Sequence, residues 1–162
     1  MDTLFRRKIM SRKSLLKEYG EKVEGITFSL SKNIDPEQAL EMYRTTDWLD
    51  GNETIHTVRK MFRSSFAAVS AKDTATGKLV GFFRAISDGV GDAFLLDLLV
   101  HPSCRRRGIG EALVRLLSGF LAEKGISWIL CVGIPGTEKF YEKCGGKKME
   151  GHSSYRFPGC GE

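Results

Sequence analysis

A basic loop containing two glycines carries the clearest chemical signal in this 162-residue sequence. It reads Arg105-Arg106-Arg107-Gly108-Ile109-Gly110 and separates an apolar, strand-like run from a strongly helical one. Glycines let the backbone approach a ligand closely, and the first turn of a helix presents N–H groups without intrahelical partners. Arginine side chains add donors for phosphate oxygens. The segment therefore predicts a pyrophosphate-binding loop, with a tight basic turn that binds nothing as the alternative.

Two other phosphate-binding motifs do not fit this segment. Leu113 stands where the third glycine of Gly-x-Gly-x-x-Gly is required. The loop also lacks the Gly-Lys-Ser/Thr ending of a P-loop. Neither a dinucleotide-binding motif nor a P-loop therefore explains it.

Hydrophobic periodicity predicts the elements that position this loop. Short apolar runs between turn residues predict strands, and apolar residues at intervals of three and four predict helices. The predicted strands are residues 26–30, 66–71, 79–87, 93–100, 127–132 and 155–157, and the predicted helices are residues 36–43, 53–63, 108–124 and 137–144. The order β-α-α-β-β-β-α-β-α-β indicates an α+β domain with a mixed sheet, in which a strand-helix-strand unit forms a parallel pair.

Three segments, in this order along the chain, resemble the GCN5-related N-acetyltransferase superfamily. Val100-His101-Pro102 fits the Val-x-Pro that ends the family's fourth strand. Arg105, Gly108 and Gly110 match the family's acetyl-CoA loop, Arg/Gln-x-x-Gly-x-Gly/Ala. The segment Phe140-Tyr141-Glu142-Lys143-Cys144-Gly145 then fits Phe-Tyr-x-x-x-Gly. The resemblance covers about residues 22–157.

The resemblance implies a mostly antiparallel central sheet with helices on both faces, in a single domain over residues 22–162 that follows a basic arm or helix over residues 1–21. It implies an acyltransferase that uses acetyl-CoA as co-substrate, needs no metal, and acetylates a primary amine of a small molecule or peptide. The alternative is an acetyl-CoA-binding sensor domain without turnover. Ile134, at a position where the family often has Asn, is the hint for that alternative, and Gly146 replaces a frequent Phe.

The resemblance also implies roles for individual residues. Tyr141 falls where many members place a tyrosine that protonates the departing thiolate. Backbone groups of the strand before the loop would pair with the pantetheine arm, and N–H groups of the loop would bind the pyrophosphate. The cofactor-binding residues so implied are Leu98, Leu99, Val100, Arg105, Arg106, Arg107, Gly108, Ile109 and Gly110.

Asp97 is the one acid within the most apolar predicted strand, and it is the candidate catalytic base. Burial disfavours the charged form of a carboxyl group and so makes it a stronger proton acceptor. The alternative is that Asp97 holds a loop or a substrate ammonium group without moving protons. For the acceptor, the resemblance points to the loop between the first two predicted helices. There Tyr43, Asp47 and Trp48 offer aromatic rings and an acid suited to a cationic amine, unless Trp48 only covers the edge of the core.

Charge and composition limit the kinds of molecule that this protein is expected to bind. The formal net charge is +5, and some of the positive charge lies in the loop and in Arg6, Arg7, Lys8, Arg12 and Lys13. Positive surfaces attract polyanions in general, but the sequence lacks a base-reading helix motif, so no specific nucleic acid is expected. No apolar run approaches the ~20 residues of a membrane span. Four cysteines without CxxC or metal-ligand spacing indicate reduced thiols and a cytoplasmic protein. The expected partners are acetyl-CoA and an amine acceptor, with a homodimer left open.

Overall fold

A computed structural model describes residues 11–158 of the chain. The first ten residues of the basic arm, and Cys160, lie outside the described residues. Contacts divide the chain after Cys131 into two compact units. Within the described residues, the first unit holds the sheet and the helices packed on it, and the second holds one short helix.

Five strands form one sheet in chain order. They are β1 (Ile26–Leu30), β2 (Ala67–Asp73), β3 (Leu79–Ser87), β4 (Asp92–Val100) and β5 (Trp128–Cys131). Successive pairs from β1 to β4 are antiparallel, whereas β5 lies parallel to β4. A parallel pair needs a long crossover, and the helix between these two strands supplies it. The predicted mixed, mostly antiparallel sheet is confirmed.

Helices cover both faces of this sheet, as predicted. The helices α2 (Pro36–Tyr43) and α3 (Ile55–Ser64) share a buried cluster with Phe82 of β3. On the preceding residue of β3, Gly81, an added Cβ atom would lie 3.1 Å from Leu113 and 3.2 Å from Ile109 of α4 (Ile109–Glu123). Because successive residues of a strand face opposite ways, α4 packs on the face opposite to α2 and α3.

Capping side chains decide where α2 and α3 begin. The Asp35 carboxylate accepts hydrogen bonds from the N–H groups of Glu37 at 3.0 Å and Gln38 at 3.3 Å, so α2 begins where predicted. Thr54 accepts from the N–H of Thr57 at 3.2 Å, so α3 begins two residues later than the predicted range. No helix within residues 11–158 is both long and apolar enough to cross a bilayer.

A further helix precedes the sheet. This helix, α1 (Arg12–Lys22), follows Ser11, whose hydroxyl accepts a hydrogen bond from the N–H of Ser14 at 3.3 Å. Leu15 and Tyr19 of α1, and Val23 directly after it, are buried. The described part of the basic arm is therefore a helix with one buried stripe.

The second unit contains α5 (Glu138–Lys143), which a pair of glycines ends. The N–H of Gly145 donates to the carbonyl of Glu142 at 2.9 Å, and the N–H of Gly146 donates to that of Tyr141 at 2.8 Å. Gly145 has a φ of 93°, and this arrangement is a Schellman motif. A Cβ on Gly146 would lie 3.0 Å from the Tyr141 carbonyl oxygen, which explains a glycine where the resemblance leads one to expect an aromatic residue.

The prediction of a strand over residues 155–157 is wrong. The segment has no regular structure, and the side chains of Tyr155 and Phe157 are 81% and 83% exposed. Pro158 follows at once and has no N–H group to donate to a ladder. Two alternating aromatic residues in so short a segment do not make a strand when neither is buried.

Candidate functional site

β4 contains a bulge at the position of the predicted catalytic acid. The pairing register shifts between Phe82 and Arg84 of β3, so Asp97 and Leu98 of β4 together oppose one residue. Asp97 has a φ of 59°, in the left-handed region that Asp tolerates better than most residues. Bulges redirect the side chains they contain, and this one directs the Asp97 carboxylate towards α2.

Three side chains form a cluster at this bulge, which we call the carboxylate cluster: Tyr43, Arg84 and Asp97. The Tyr43 hydroxyl donates to Asp97 Oδ2 at 2.7 Å, and Arg84 Nε donates to the same oxygen at 2.5 Å. The side chains of Arg84 and Asp97 are 13% and 20% exposed. Burial, reinforced by the Asp97 charge, raises the pKa of Tyr43 well above its ordinary value, so its hydroxyl stays a donor.

The carboxylate cluster keeps one unused hydrogen-bond acceptor. Among residues 11–158, Asp97 Oδ1 has no hydrogen-bond partner. No buried side-chain nitrogen or oxygen in the described chain lacks a partner, so solvent reaches this atom. One carboxylate oxygen is therefore held by the fold while the other is available to a ligand.

Sequence reasoning recovered this cluster in part. It selected Asp97 as a base and Tyr43 as an acceptor-binding residue but did not link them, and it missed Arg84. A single arginine in the otherwise apolar run of β3 was the available signal. Asp47 and Trp48 follow α2, and neither hydrogen-bonds to the carboxylate cluster within the described residues.

β4 extends beyond the end of its parallel partner, β5. Pairing with β5 ends at Leu95 and Cys131, while β4 continues to Val100 and stays paired to β3. The β4 edge from residue 96 to residue 100 therefore has no β5 partner. The predicted residues Leu98, Leu99 and Val100 all lie on this stretch, which is paired to β3 on one edge and has no β5 partner on the other. Its backbone groups can pair with an extended ligand that carries amides.

The loop after β4 contains several backbone N–H groups that donate to no acceptor in the described part of the chain. A short 3₁₀ helix (Pro102–Cys104) follows the strand, and the chain then takes left-handed conformations at Arg106 (φ 65°) and Gly108 (φ 85°). The N–H groups of residues 106–110 donate to no acceptor in the described part of the chain. α4 begins here without a side-chain cap, so its positive end adds to these donors. Five consecutive free N–H groups at a helix start suit a phosphate-containing ligand.

The three arginine side chains of the loop differ in their surroundings. Arg105 Nε donates to the carbonyl of Val100 at 3.2 Å, and Arg107 Nη2 donates to that of Glu24 at 3.2 Å. Arg106 is exposed and donates no side-chain hydrogen bond to a described residue. Two of the three guanidinium groups are therefore anchored on backbone carbonyls, a use that the sequence did not reveal.

Tyr141 belongs to the second unit. It lies on α5 and is half-buried, with its ring edge-on to Phe140 at a centroid distance of 5.1 Å. A Cβ on Gly133 would lie 3.2 Å from the Tyr141 ring, so that glycine leaves room for it. Ile134 is 64% exposed, and its carbonyl accepts from the Thr137 hydroxyl at 2.6 Å. Within residues 11–158, no three His, Cys, Asp or Glu side chains gather as metal ligands would.

Comparison with known proteins finds a matching family and several relatives. The model of the acetyltransferase (GNAT) family matches residues 29–146. The chain is 30% identical over 122 residues to the uncharacterized N-acetyltransferase ycf52 of Pyropia yezoensis, which covers 74% of this chain and 69% of that protein. It is 38% identical over 72 residues to the chloroplastic serotonin N-acetyltransferase 2 of Oryza sativa subsp. japonica, which covers 44% of this chain and 36% of that protein.

Solved structures share the fold. A GNAT-family acetyltransferase of Streptococcus pneumoniae TIGR4 superposes with a TM-score of 0.69 at 24% identity, over 83% of this chain and 98% of that one. An aminoglycoside N-acetyltransferase in complex with CoA superposes with a TM-score of 0.62 at 18% identity, over 82% of this chain and 94% of that one.

Proposed function

This chain belongs to the acetyltransferase (GNAT) family, and we propose that it passes the acetyl group of acetyl-CoA directly to a primary amine of a small molecule or peptide. The main support for binding of acetyl-CoA is the loop after β4, because the N–H groups of residues 106–110 are donors without acceptors in the described chain. A pyrophosphate satisfies such donors. The loop also has the sequence form of the family's acetyl-CoA loop.

The unpaired edge of β4 supports the same ligand. Pantetheine is an extended chain with two amides, and amides bind to an open strand edge as a neighbouring strand would. We propose that this arm pairs with backbone groups between Leu98 and Val100, beyond the point where β5 ends. The thioester would then lie close to the bulge.

Transfer forms a C–N bond and breaks the C–S bond of the thioester. The amine loses a proton and the departing thiolate gains one. A lysine-like amine with a pKa near 10.4 must first be deprotonated at pH 7, which costs about 4.6 kcal/mol. A positioned base can supply part of this.

We propose Asp97 for the amine side of this reaction. Its Oδ2 atom is held by Tyr43 and Arg84, while Oδ1 has no partner among the described residues and is reached by solvent. Oδ1 can receive the ammonium group of the acceptor and then take its proton. The two hydrogen bonds to Oδ2 fix the direction in which Oδ1 points.

We propose Tyr141 for the thiolate side. Its phenol is a donor at neutral pH and can protonate the CoA thiolate as the C–S bond breaks. The support for this role is the Phe-Tyr-x-x-x-Gly segment, whose tyrosine lies on α5.

Arylalkylamines are the first acceptors to test. One relative is named a serotonin N-acetyltransferase, and serotonin is an arylalkylamine. In this chain Trp48 is 47% exposed directly after Asp47, so an aromatic ring and an acid are both available to a cationic aromatic amine. Polyamines, aminoglycosides and free amino acids serve as comparison acceptors.

The proposal is tested first by thermal unfolding with saturating acetyl-CoA, with 3′-dephospho-CoA and ATP as controls. A ligand at about 100 times its dissociation constant adds about 2.7 kcal/mol, which raises Tm by roughly 5–10 °C for a domain of this size. Acetylation of the amine panel is then followed by release of CoA. No selective shift in folded protein would overturn the proposal, and a shift without turnover of any amine would favour the sensor function.

A further inference from the structure

The helix α1 is seated on α4 at a glycine. A Cβ on Gly119 would lie 2.6 Å from Leu15 Cδ1, so the leucine would have to shift for any larger residue at this position. Leu15, Tyr19 and Val23 are 8%, 5% and 5% exposed and recur every four residues, which places them on one side of the helix. α1 therefore packs against α4, whose N-terminus forms the end of the loop at residues 105–110. We call this loop the phosphate loop.

The chain leaving α1 touches the loop itself. Val23 Cγ2 lies 3.8 Å from the position that a Cβ on Gly108 would occupy, so its methyl group covers the left-handed glycine of the loop. Arg107 Nη2 donates to the carbonyl of Glu24 at 3.2 Å and lies 3.7 Å from the Cβ position of Gly25. The segment at residues 23–25 thus lies beside Arg107 and Gly108 of the loop.

These contacts give Arg107 two separate tasks. Its backbone N–H belongs to the row of free donors at residues 106–110. Its side chain donates to the carbonyl of Glu24, which lies shortly before β1. A loop whose own donors are unsatisfied needs support from outside, because it makes few hydrogen bonds that would hold its shape.

We infer that α1 and the turn after it brace the phosphate loop, with Val23 and Arg107 as positioning residues. α1 lies outside the residues 29–146 that match the family model. The effect on acetyl-CoA rests on the proposed function. The ordering of the loop does not, since these contacts exist without a ligand.

Tryptic cleavage of the ligand-free protein tests the brace, because the loop contains three arginines. The variant is Val23→Ala, and Val58→Ala is its matched control, since Val58 is also a buried valine but lies in the cluster of α2 and α3. Mass spectrometry follows cleavage after Arg105, Arg106 and Arg107. We expect Val23→Ala to accelerate it about five-fold or more, and Val58→Ala to leave it near the wild-type rate. Equal cleavage in the two variants would overturn the inference.

A second variant leaves the core intact. Arg107→Gln removes the hydrogen bond to Glu24, and cleavage after Arg105 and Arg106 should rise as in Val23→Ala. An unchanged rate would remove Arg107 from the brace.

Calorimetric titration with acetyl-CoA then measures the consequence for binding. Val23→Ala should raise the dissociation constant about ten-fold while kcat changes less than two-fold, and Val58→Ala should change neither. A wild-type protein that binds no acetyl-CoA would refute the proposed function, and the proteolysis result would still decide the brace. Faster loop cleavage with unchanged affinity would show that the brace does not serve the ligand, and would overturn that part of the inference.

Discussion

The Tyr43 hydroxyl donates a 2.7 Å hydrogen bond to Asp97 Oδ2 and so joins α2 to the bulge of β4 across 54 positions of sequence. Arg84 reaches the same oxygen from β3. Three elements therefore meet at one carboxylate oxygen, and the second oxygen of Asp97 stays open to solvent. The arrangement holds the carboxylate in place before any acceptor binds, which is what a group that positions or deprotonates an amine requires.

Stability should depend on pH through Tyr43. Burial, with the charge of Asp97, raises the pKa of this tyrosine above its ordinary value of 10.0. The unfolded chain therefore loses the Tyr43 proton first, so the stabilisation is complete below pH 10 and is lost as pH rises. The free energy of unfolding should fall by about 1 kcal/mol between pH 10 and pH 11 from this residue.

Urea unfolding of the wild type and of Tyr43→Phe at pH 9, 10 and 11 measures this contribution. The variant should be less stable at pH 9 by about 1–3 kcal/mol, because a hydrogen bond to a charged group is lost. Its stability should then fall less steeply with pH than that of the wild type. Parallel pH profiles would show that Tyr43 ionises normally.

Asp97→Asn should abolish the base while keeping the bulge. Asn tolerates the left-handed φ of 59° at this position, so the backbone is preserved. Loss of a general base lowers kcat by about 10²–10⁴-fold, and the dissociation constant of acetyl-CoA should change little. Steady-state kinetics with the best amine measure kcat, and calorimetry measures the dissociation constant of acetyl-CoA. An unchanged kcat would exclude Asp97 as the base.

Gly108→Val should abolish binding of acetyl-CoA. A valine at a φ of 85° is strained, and its side chain blocks close approach of a ligand to the loop backbone. Gly125→Val is the control, because Gly125 has a φ of 87°, lies at the other end of α4 and has open space around it. Both variants should lose about 1–2 kcal/mol of stability, but only Gly108→Val should lose affinity by calorimetry. Retained affinity would show that the loop is not the binding site.

Tyr141→Phe should lower turnover far more than affinity. The substitution keeps the ring that packs on Phe140 and removes the hydroxyl group, which is the proposed acid. A general acid contributes about 10²–10⁴-fold to the rate, so kcat should fall by at least the lower figure while the dissociation constant of acetyl-CoA stays the same. Tyr155→Phe, at an 81% exposed position, is the control and should behave as wild type. Equal turnover in both variants would remove Tyr141 from the acid role.

Local signals in the sequence predicted most of the elements. β1, α2 and β3 have the predicted bounds, because capping residues, prolines, turn glycines and apolar periodicity act within a few residues. The prediction of a pyrophosphate-binding loop at residues 105–110 also rests on local signals, since the donors come from the loop's own backbone. The strand expected at residues 155–157 failed because a strand is stable only against a partner, and local alternation does not supply one.

Tertiary structure alone decided how the site is assembled. The bulge at Asp97, the end of pairing at Leu95 and the link of Arg107 to Glu24 each join residues that are distant in sequence. Strand register and helix docking depend on how whole faces pack, and one sequence pattern allows several registers. The sequence by itself thus determined the chemistry that is available in this chain, namely a basic glycine loop, a lone strand acid and a helical tyrosine. Packing over long range decided that the acid is held by Tyr43 and Arg84, and that the loop is braced by the end of α1.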